Sequence, residues 1–313
     1  MSSIDTSEVA LRGGGRVCGD LAVPGDKSVS HRAAILAAVA HGTTVVEGFA
    51  ANLDCLATLD CVAALGATVA RDGSHVVIEG RGLERPPVVP LDARNSGTTM
   101  RLLAGAVAGS PIEATFVGDE SLSARPMERV AEPLRRMGAS VATTEGHAPM
   151  TVCGRPRLEA IDHTPRPPSA QVKSALLLAG LSADGVTRVR ERVRTRDHTE
   201  RMLSAFGAEV GRDDEVSWVR GPVHLAATRV RVPGDISSAA FLVALALLCE
   251  GSEVRVRGVG LNPTRTRALD LLDDLGAGVE IEAVDRDAPE PVGDLRVRYR
   301  ERLGLASGTM REV

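Results

Sequence analysis

"VAALGATV", residues 62–69, returns three times with variation: "LRRMGASV" at 134–141, "LSAFGAEV" at 203–210 and "LDDLGAGV" at 272–279. Each copy carries an apolar helical stretch into Gly-Ala and then into strand-forming sequence. Their glycines, Gly66, Gly138, Gly207 and Gly276, are spaced by 72, 69 and 69 residues. Glycine at such a point reads as a helix C-cap, because it adopts a left-handed backbone without the steric cost of a Cβ. A fixed period of this kind marks a repeat architecture. The competing reading, four chance caps in an Ala- and Gly-rich α/β chain, does not account for the near-equal spacing or the shared flanks.

Those flanks extend the unit. Upstream of each Gly-Ala lies another helix-to-strand turn, as in "LAAVAHGTTVVEG" (36–48) and "LALLCEGSEVRVRGV" (245–259). Downstream comes a hairpin, clearest at "ATVARDGSHVVIEG" (67–80), where Asp-Gly separates two alternating stretches. One unit therefore reads β-α-β-α-β-β, and the chain holds four. "VPGD" occurs at 23–26 and again at 232–235, a separation of three units. The expectation is an α/β protein with a first lobe of three units over 23–231 and the first unit of a second lobe over 232–299.

Composition narrows the function. The 313 residues suffice for about two domains. Net charge is −4, no basic tract occurs, and one Trp, one Tyr and four Phe build no stacking platform, so nucleic acid is not an expected partner. The five cysteines are odd in number, with neither C-x-x-C nor a Cys/His cluster, which points to a reduced, cytoplasmic setting and to no metal. "MSSIDTSEVALRGGG" has no signal-peptide pattern, and the apolar run at 239–249 is shorter than the roughly 20 residues that span a bilayer. No membrane association is expected.

Polar clusters interrupt the repeats at predicted helix starts: "DKSVSHR" (26–32), "NSGTTMR" (95–101), "SAQVKS" (169–174) and "TRDHTER" (195–201). A fifth, "SLSARPMER" (121–129), leads into a helix with Pro126 expected in its first turn. Helix N-termini favour anions, and Lys27, Arg32, Arg101, Arg125, Lys173 and Arg196 add full charges, a set suited to a small polyanion. Taken singly, most of these clusters are also ordinary N-caps with solvated cations. Two cations in the first turns of one helix oppose its dipole, so "DKSVSHR" asks for a further explanation. Neither His31 nor His198 is assigned an acid–base role.

The strings "KSVSHR", "NSGTTMR", "RPM", "SAQVKSALLLAGL", "VPGDISSAAF" and "GLNPTRT", in that order between about residues 12 and 299, resemble those of the 3-phosphoshikimate 1-carboxyvinyltransferase (EPSP synthase) family. The resemblance implies two lobes of three β-α-β-α-β-β units forming an inside-out α/β barrel, with residues 1–22 belonging to the second lobe. It implies transfer of the enolpyruvyl group of phosphoenolpyruvate to the 5-hydroxyl of shikimate 3-phosphate, between closing lobes, with no metal or organic cofactor. Carried over by position, Lys27 meets both substrates, Ser28 and Arg32 bind shikimate 3-phosphate, and Gly97, Thr98 and Arg125 form the phosphoenolpyruvate pocket. Ser169, Ala170 and Gln171 line the shikimate site, with Gln171 reaching both substrates, and Arg196 holds the shikimate phosphate.

The sequence also departs from that pattern. The family's acid and base lie in "IDE"- and "KESDR"-like stretches that are absent here, so no catalytic residue is assigned. Arg94 stands where the family usually has glycine, and residues 300–313 read as a non-family tail. The expectation is a member shortened by about two units and deficient in turnover. A non-catalytic shikimate 3-phosphate-binding paralogue is the alternative. The related UDP-N-acetylglucosamine enolpyruvyl transferases have a reactive cysteine where this chain has "SLSARPM", and asparagine at the place of Ser28.

Overall fold

The computed structural model describes residues 15–286 and 288–301. The chain opens with β1 (Cys18–Ala22), α1 (Lys27–Val39), β2 (His41–Glu47), α2 (Leu53–Ala64), β3 (Thr68–Asp72) and β4 (His75–Arg81). It continues through β5 (Leu91–Asp92), α3 (Gly97–Ala108), β6 (Glu113–Val117), the short α4 (Glu120–Ser123), α5 (Glu128–Arg136), β7 (Ser140–Thr144) and β8 (His147–Cys153). Next come β9 (Leu158–Glu159), β10 (Asp162–His163), α6 (Ala170–Gly180), β11 (Ala183–Arg190), α7 (His198–Ala205), β12 (Val210–Asp213) and β13 (Val216–Gly221). The remaining elements are β14 (Arg229–Arg231), α8 (Ile236–Leu248), β15 (Glu253–Gly260), α9 (Arg267–Asp274), β16 (Gly278–Asp285) and β17 (Val292–Arg298). The architecture is α/β.

Four mixed sheets share one plan, in which a strand paired in parallel sits beside an antiparallel set of three. Their orders are β14-β2-β4-β3, β5-β6-β8-β7, β10-β11-β13-β12 with β9 also on β11, and β1-β15-β17-β16. The Gly-Ala signals lie where helices turn into these sheets. All four glycines have positive φ, at 108°, 100°, 88° and 66° in chain order. After each one the alanine N–H reaches back to a carbonyl five residues earlier, Ala67 to Val62, Ala139 to Leu134, Ala208 to Leu203 and Ala277 to Leu272, at 2.9–3.2 Å. These are Schellman caps, which satisfy carbonyls that a helix end would otherwise leave bare.

The two Val-Pro-Gly-Asp segments cross in space. Asp26 N–H donates to the Pro233 carbonyl at 2.7 Å and Asp235 N–H to the Pro24 carbonyl at 2.9 Å, a reciprocal pair around the Gly25–Gly234 bridge. A Cβ on Gly25 would overlap the Gly48 carbonyl, so only glycine allows this approach. The crossing separates two apolar cores. The larger spans Val29 to Val232, and α1, α3 and α6 lie in it. The smaller gathers Ile236 to Val297, with Val17, Leu21 and Val23 of the N-terminal stretch packed on it.

Pro126 is not in a first turn: α5 begins at Glu128 after Met127, so the proline precedes the cap. Residues 1–14 and nearly all of the 300–313 tail lie outside the described residues. Among the described residues no helix is long and apolar enough to cross a membrane.

Candidate active site

Three helix starts meet at one surface. The α1, α3 and α6 N-termini are capped by Asp26, Ser96 and Ser169, whose side chains accept from Val29 N–H at 3.0 Å, Thr99 N–H at 3.1 Å and Val172 N–H at 3.4 Å. Such a cap contributes about 1 kcal/mol. None of the three helices has an acidic residue in its first turn, so their positive ends stay available to an anion.

The side chains selected from the sequence interlock there. Lys27 pairs with Asp54, and its backbone N–H donates to Asp235 Oδ2 at 3.3 Å. Ser28 Oγ accepts from Arg196 Nη1 at 3.4 Å. Gln171, next to Ala170 at the start of α6, donates through Nε2 to Thr98 Oγ1 at 2.9 Å and accepts through Oε1 from Arg101. Gly97 opens α3, where a Cβ would lie 2.9 Å from Arg101 Nη1 and 3.4 Å from Arg125 Nη1. Arg125 donates to Asn95 Oδ1 at 2.7 Å, and Asn95 donates onward to Asp119 at 2.8 Å. That amide holds the Asp119 carboxyl below the usual range, helped by the Leu122 N–H.

Charge is unevenly settled in this cluster. Arg101, Arg125 and Arg129 have neutral acceptors (Gln171, Asn95, and the Pro126 and Pro167 carbonyls) and no carboxylate partner among the described residues. Burial first, then Arg129 and Arg125, push Arg101 down to about 10. Arg196 is likewise lowered by burial and by Arg265. Arg32 is more enclosed: it is 4% exposed and donates to Thr199 Oγ1 at 2.6 Å, Ser174 Oγ at 2.8 Å and the Ser28 carbonyl at 2.9 Å. Burial lowers it to about 10, against the attraction of Glu200 and Asp26.

One expectation fails. Lys173 does not face the site; it is 0% exposed, with Nζ 2.7 Å from Glu191 Oε2 and 2.8 Å from Glu200 Oε1. A lysine four residues past the N-cap has turned onto the packed face of α6, where it needs anionic partners inside the fold. The dipole puzzle of "DKSVSHR" also resolves, because Lys27 is answered by Asp54 and Arg32 by a buried hydroxyl cage. His31 is fully buried, its Nδ1 2.6 Å from Thr58 Oγ1, and burial, then Lys27 and Arg32, hold it down at about 3. It is neutral at physiological pH and remote from acid–base work.

Asp54, Asn95 and Arg265 were missed as site residues. Asp54 follows the α2 cap Asn52, so the same helix-start pattern applied to second helices would have found it. Arg265, from "GLNPTRT", donates to Ser237 Oγ at 2.7 Å and lies 3.6 Å from Asp26 and 3.8 Å from Asp235, bringing the far side of the crossing to the site. A count would have flagged the lysines: Lys27 and Lys173 are the chain's only two.

The model of the family described as EPSP synthase (3-phosphoshikimate 1-carboxyvinyltransferase) matches residues 11–301. The chain belongs to the EPSP synthase family. It is 50% identical to a 3-phosphoshikimate 1-carboxyvinyltransferase of Acidithiobacillus ferrooxidans over 299 residues, covering 95% of this chain and 69% of that protein. The enzyme of the same name from Methylococcus capsulatus is 50% identical over 296 residues, covering 93% and 68%. The solved EPSP synthase of Acinetobacter baumannii superposes with a TM-score of 0.87 at 43% identity, covering 92% of this chain and 66% of that one. The chain thus spans about two thirds of the length of these relatives. Arg94 has φ +50°, a left-handed backbone that costs a non-glycine residue about 1 kcal/mol.

Proposed function

We propose that this EPSP synthase family chain binds shikimate 3-phosphate and phosphoenolpyruvate at the converging helix starts and serves the carboxyvinyl transfer between them. In that reaction the 5-hydroxyl of shikimate 3-phosphate adds to C2 of phosphoenolpyruvate while its methylene carbon takes a proton. The resulting tetrahedral ketal loses a methyl proton and expels phosphate, leaving 5-enolpyruvylshikimate 3-phosphate. The observation that carries this reading is the pair of guanidiniums Arg125 and Arg129, which have no carboxylate in salt-bridge reach among the described residues, with Gly97 opening a helix N-terminus beside Arg125. Guanidinium forks match carboxylate and phosphate oxygens bidentately.

Arg125, Gly97 and Thr98 form the phosphoenolpyruvate pocket in this proposal. Ser28, Ser169, Ala170, Gln171 and Arg196 receive shikimate 3-phosphate, Arg32 stands enclosed behind Ser28 and holds its carbonyl rather than facing the ligand, and Lys27 lies between the two ligands. In this proposal the fold is the inside-out α/β barrel, with three units before the second Val-Pro-Gly-Asp and one of three after it; residues 1–22 belong to the second lobe, and the setting is cytoplasmic.

Titration calorimetry with shikimate 3-phosphate tests the binding, which Lys27→Ala is expected to weaken by at least about tenfold. No heat of binding to the wild-type chain would overturn the proposal. Phosphate release from the two substrates together separates turnover from binding alone.

A further inference from the structure

Gln171 has an amide of two opposite characters, a donor and an acceptor, and its neighbours decide which one meets the ligand. Arg101 stands on one side and Thr98 on the other. A guanidinium donates and never accepts, so the atom facing Arg101 Nη1 has to be Oε1, and Nε2 then donates to Thr98 Oγ1 at 2.9 Å. Arg101 is itself aimed. Its Nη2 donates to the Pro126 carbonyl at 3.2 Å, and its Nη1 lies where a Cβ on Gly97 would come within 2.9 Å. Among the described residues no carboxylate competes for it, and lowered only to about 10 it stays cationic at neutral pH.

We propose that Arg101 is a positioning residue that locks the Gln171 amide in one of its two orientations. The second Nε2 hydrogen is thereby offered to ligand oxygens, and Oε1 is withheld from them. Without Arg101 the amide is free to flip, and a carbonyl oxygen turned to an anion repels it. The ligand side of this inference rests on the proposed function; the lock itself belongs to the free protein.

The experiment uses the whole chain. In 1H–15N spectra, with the Gln171 side-chain signals assigned by their loss in Gln171→Ala, the wild type should show an amide pair displaced from free glutamine. In Arg101→Met the pair should move to the free position, and Arg101→Lys, which keeps a cationic donor, should restore part of the displacement. Gln171 signals unchanged in Arg101→Met, in a variant that melts within a few degrees of the wild type, would overturn the lock. Should Arg101→Met fail to fold, Arg101→Gln and Arg101→Lys carry the same measurement.

Calorimetry with shikimate 3-phosphate and with phosphoenolpyruvate supplies the second arm. Arg101→Met and Gln171→Ala are each expected to weaken binding about tenfold, and the double variant no more than Gln171→Ala alone. Losses that multiply to about a hundredfold mean that Arg101 grips the ligand directly, which contradicts a positioning role. A wild-type chain that binds neither ligand counts against the proposed function, and the spectra still decide the lock.

Discussion

Helices α1 and α8 begin alike and end in different surroundings. Both have 13 residues, both follow Val-Pro-Gly-Asp, and both are capped by the aspartate, with Asp26 accepting from Val29 N–H and Asp235 from Ser237 N–H. By sequence α8, "ISSAAFLVALALL", is the more apolar, while α1 carries Lys27, His31 and Arg32. Yet α1 buries ten of its residues and α8 five. Phe241 and Leu248 of α8 are 79% and 78% exposed, and Phe241 holds the place in its helix that Arg32 holds in α1. The difference lies in the neighbours. In the larger core α2, α3 and α7 pack around α1, whereas among the described residues α8 packs on its own sheet and α9 lies beside it. Hydrophobicity sets what a helix gains from burial; the partners decide whether it is buried.

The largest break in this comparison should come from the charges hidden beside α1. Lys173→Met leaves Glu191 and Glu200 facing each other without their cation, and urea unfolding should record a loss of about 3–5 kcal/mol. A loss below about 1 kcal/mol would mean that the glutamates simply take up protons or reach water.

Leu36 and Leu245 occupy matching places in α1 and α8, at 1% and 43% exposure, and so form a matched pair. Leu36→Ala should cost about 2–5 kcal/mol and Leu245→Ala less than about 1 kcal/mol. Equal costs would show that α8 is covered in solution.

The smallest effect appears with pH. His31 binds a proton in the unfolded chain near 6.5 and in the folded chain near 3, so its contribution to stability is complete above 6.5 and is lost as pH falls through that window. Between pH 6.5 and pH 5 the loss amounts to about 2 kcal/mol, and Asn in place of His31 should remove it. Matched acid slopes for His31→Asn and wild type would show that His31 is solvated.

Local signals were legible because their physics is local. A glycine with positive φ after α2, α5, α7 and α9, an Asp or Ser at the starts of α1, α3, α6 and α8 and a hairpin at Asp-Gly are settled by a few neighbouring residues, and the structure places Schellman caps at all four Gly-Ala pairs. The polar clusters were legible as helix starts for the same reason. Lys173 was misread as a ligand-facing charge because four residues from a cap is enough for the side chain to turn inward. Asp54 and Asn95 lie in ordinary capping sequence, and only the proximity of Lys27 and Arg125 distinguishes them. Arg94 stood out as an unusual residue, but its cause, a left-handed backbone, appears only in the fold.

The sequence by itself determined the four Gly-Ala helix caps and the identity of the cations, which follow from local backbone sterics and side-chain chemistry. The tertiary structure alone decided the exchange of edge strands: β14, distant in sequence, pairs with β2, and β1 pairs with β15. It also decided which cations face one another and which are buried. A strand's partner and a side chain's neutralising charge are supplied from 180 to 240 residues away in three of these cases, Arg229 to Val45, Cys18 to Glu253 and Arg265 to Asp26. Short-range periodicity does not encode such pairings, because closing them depends on the whole chain having folded around them.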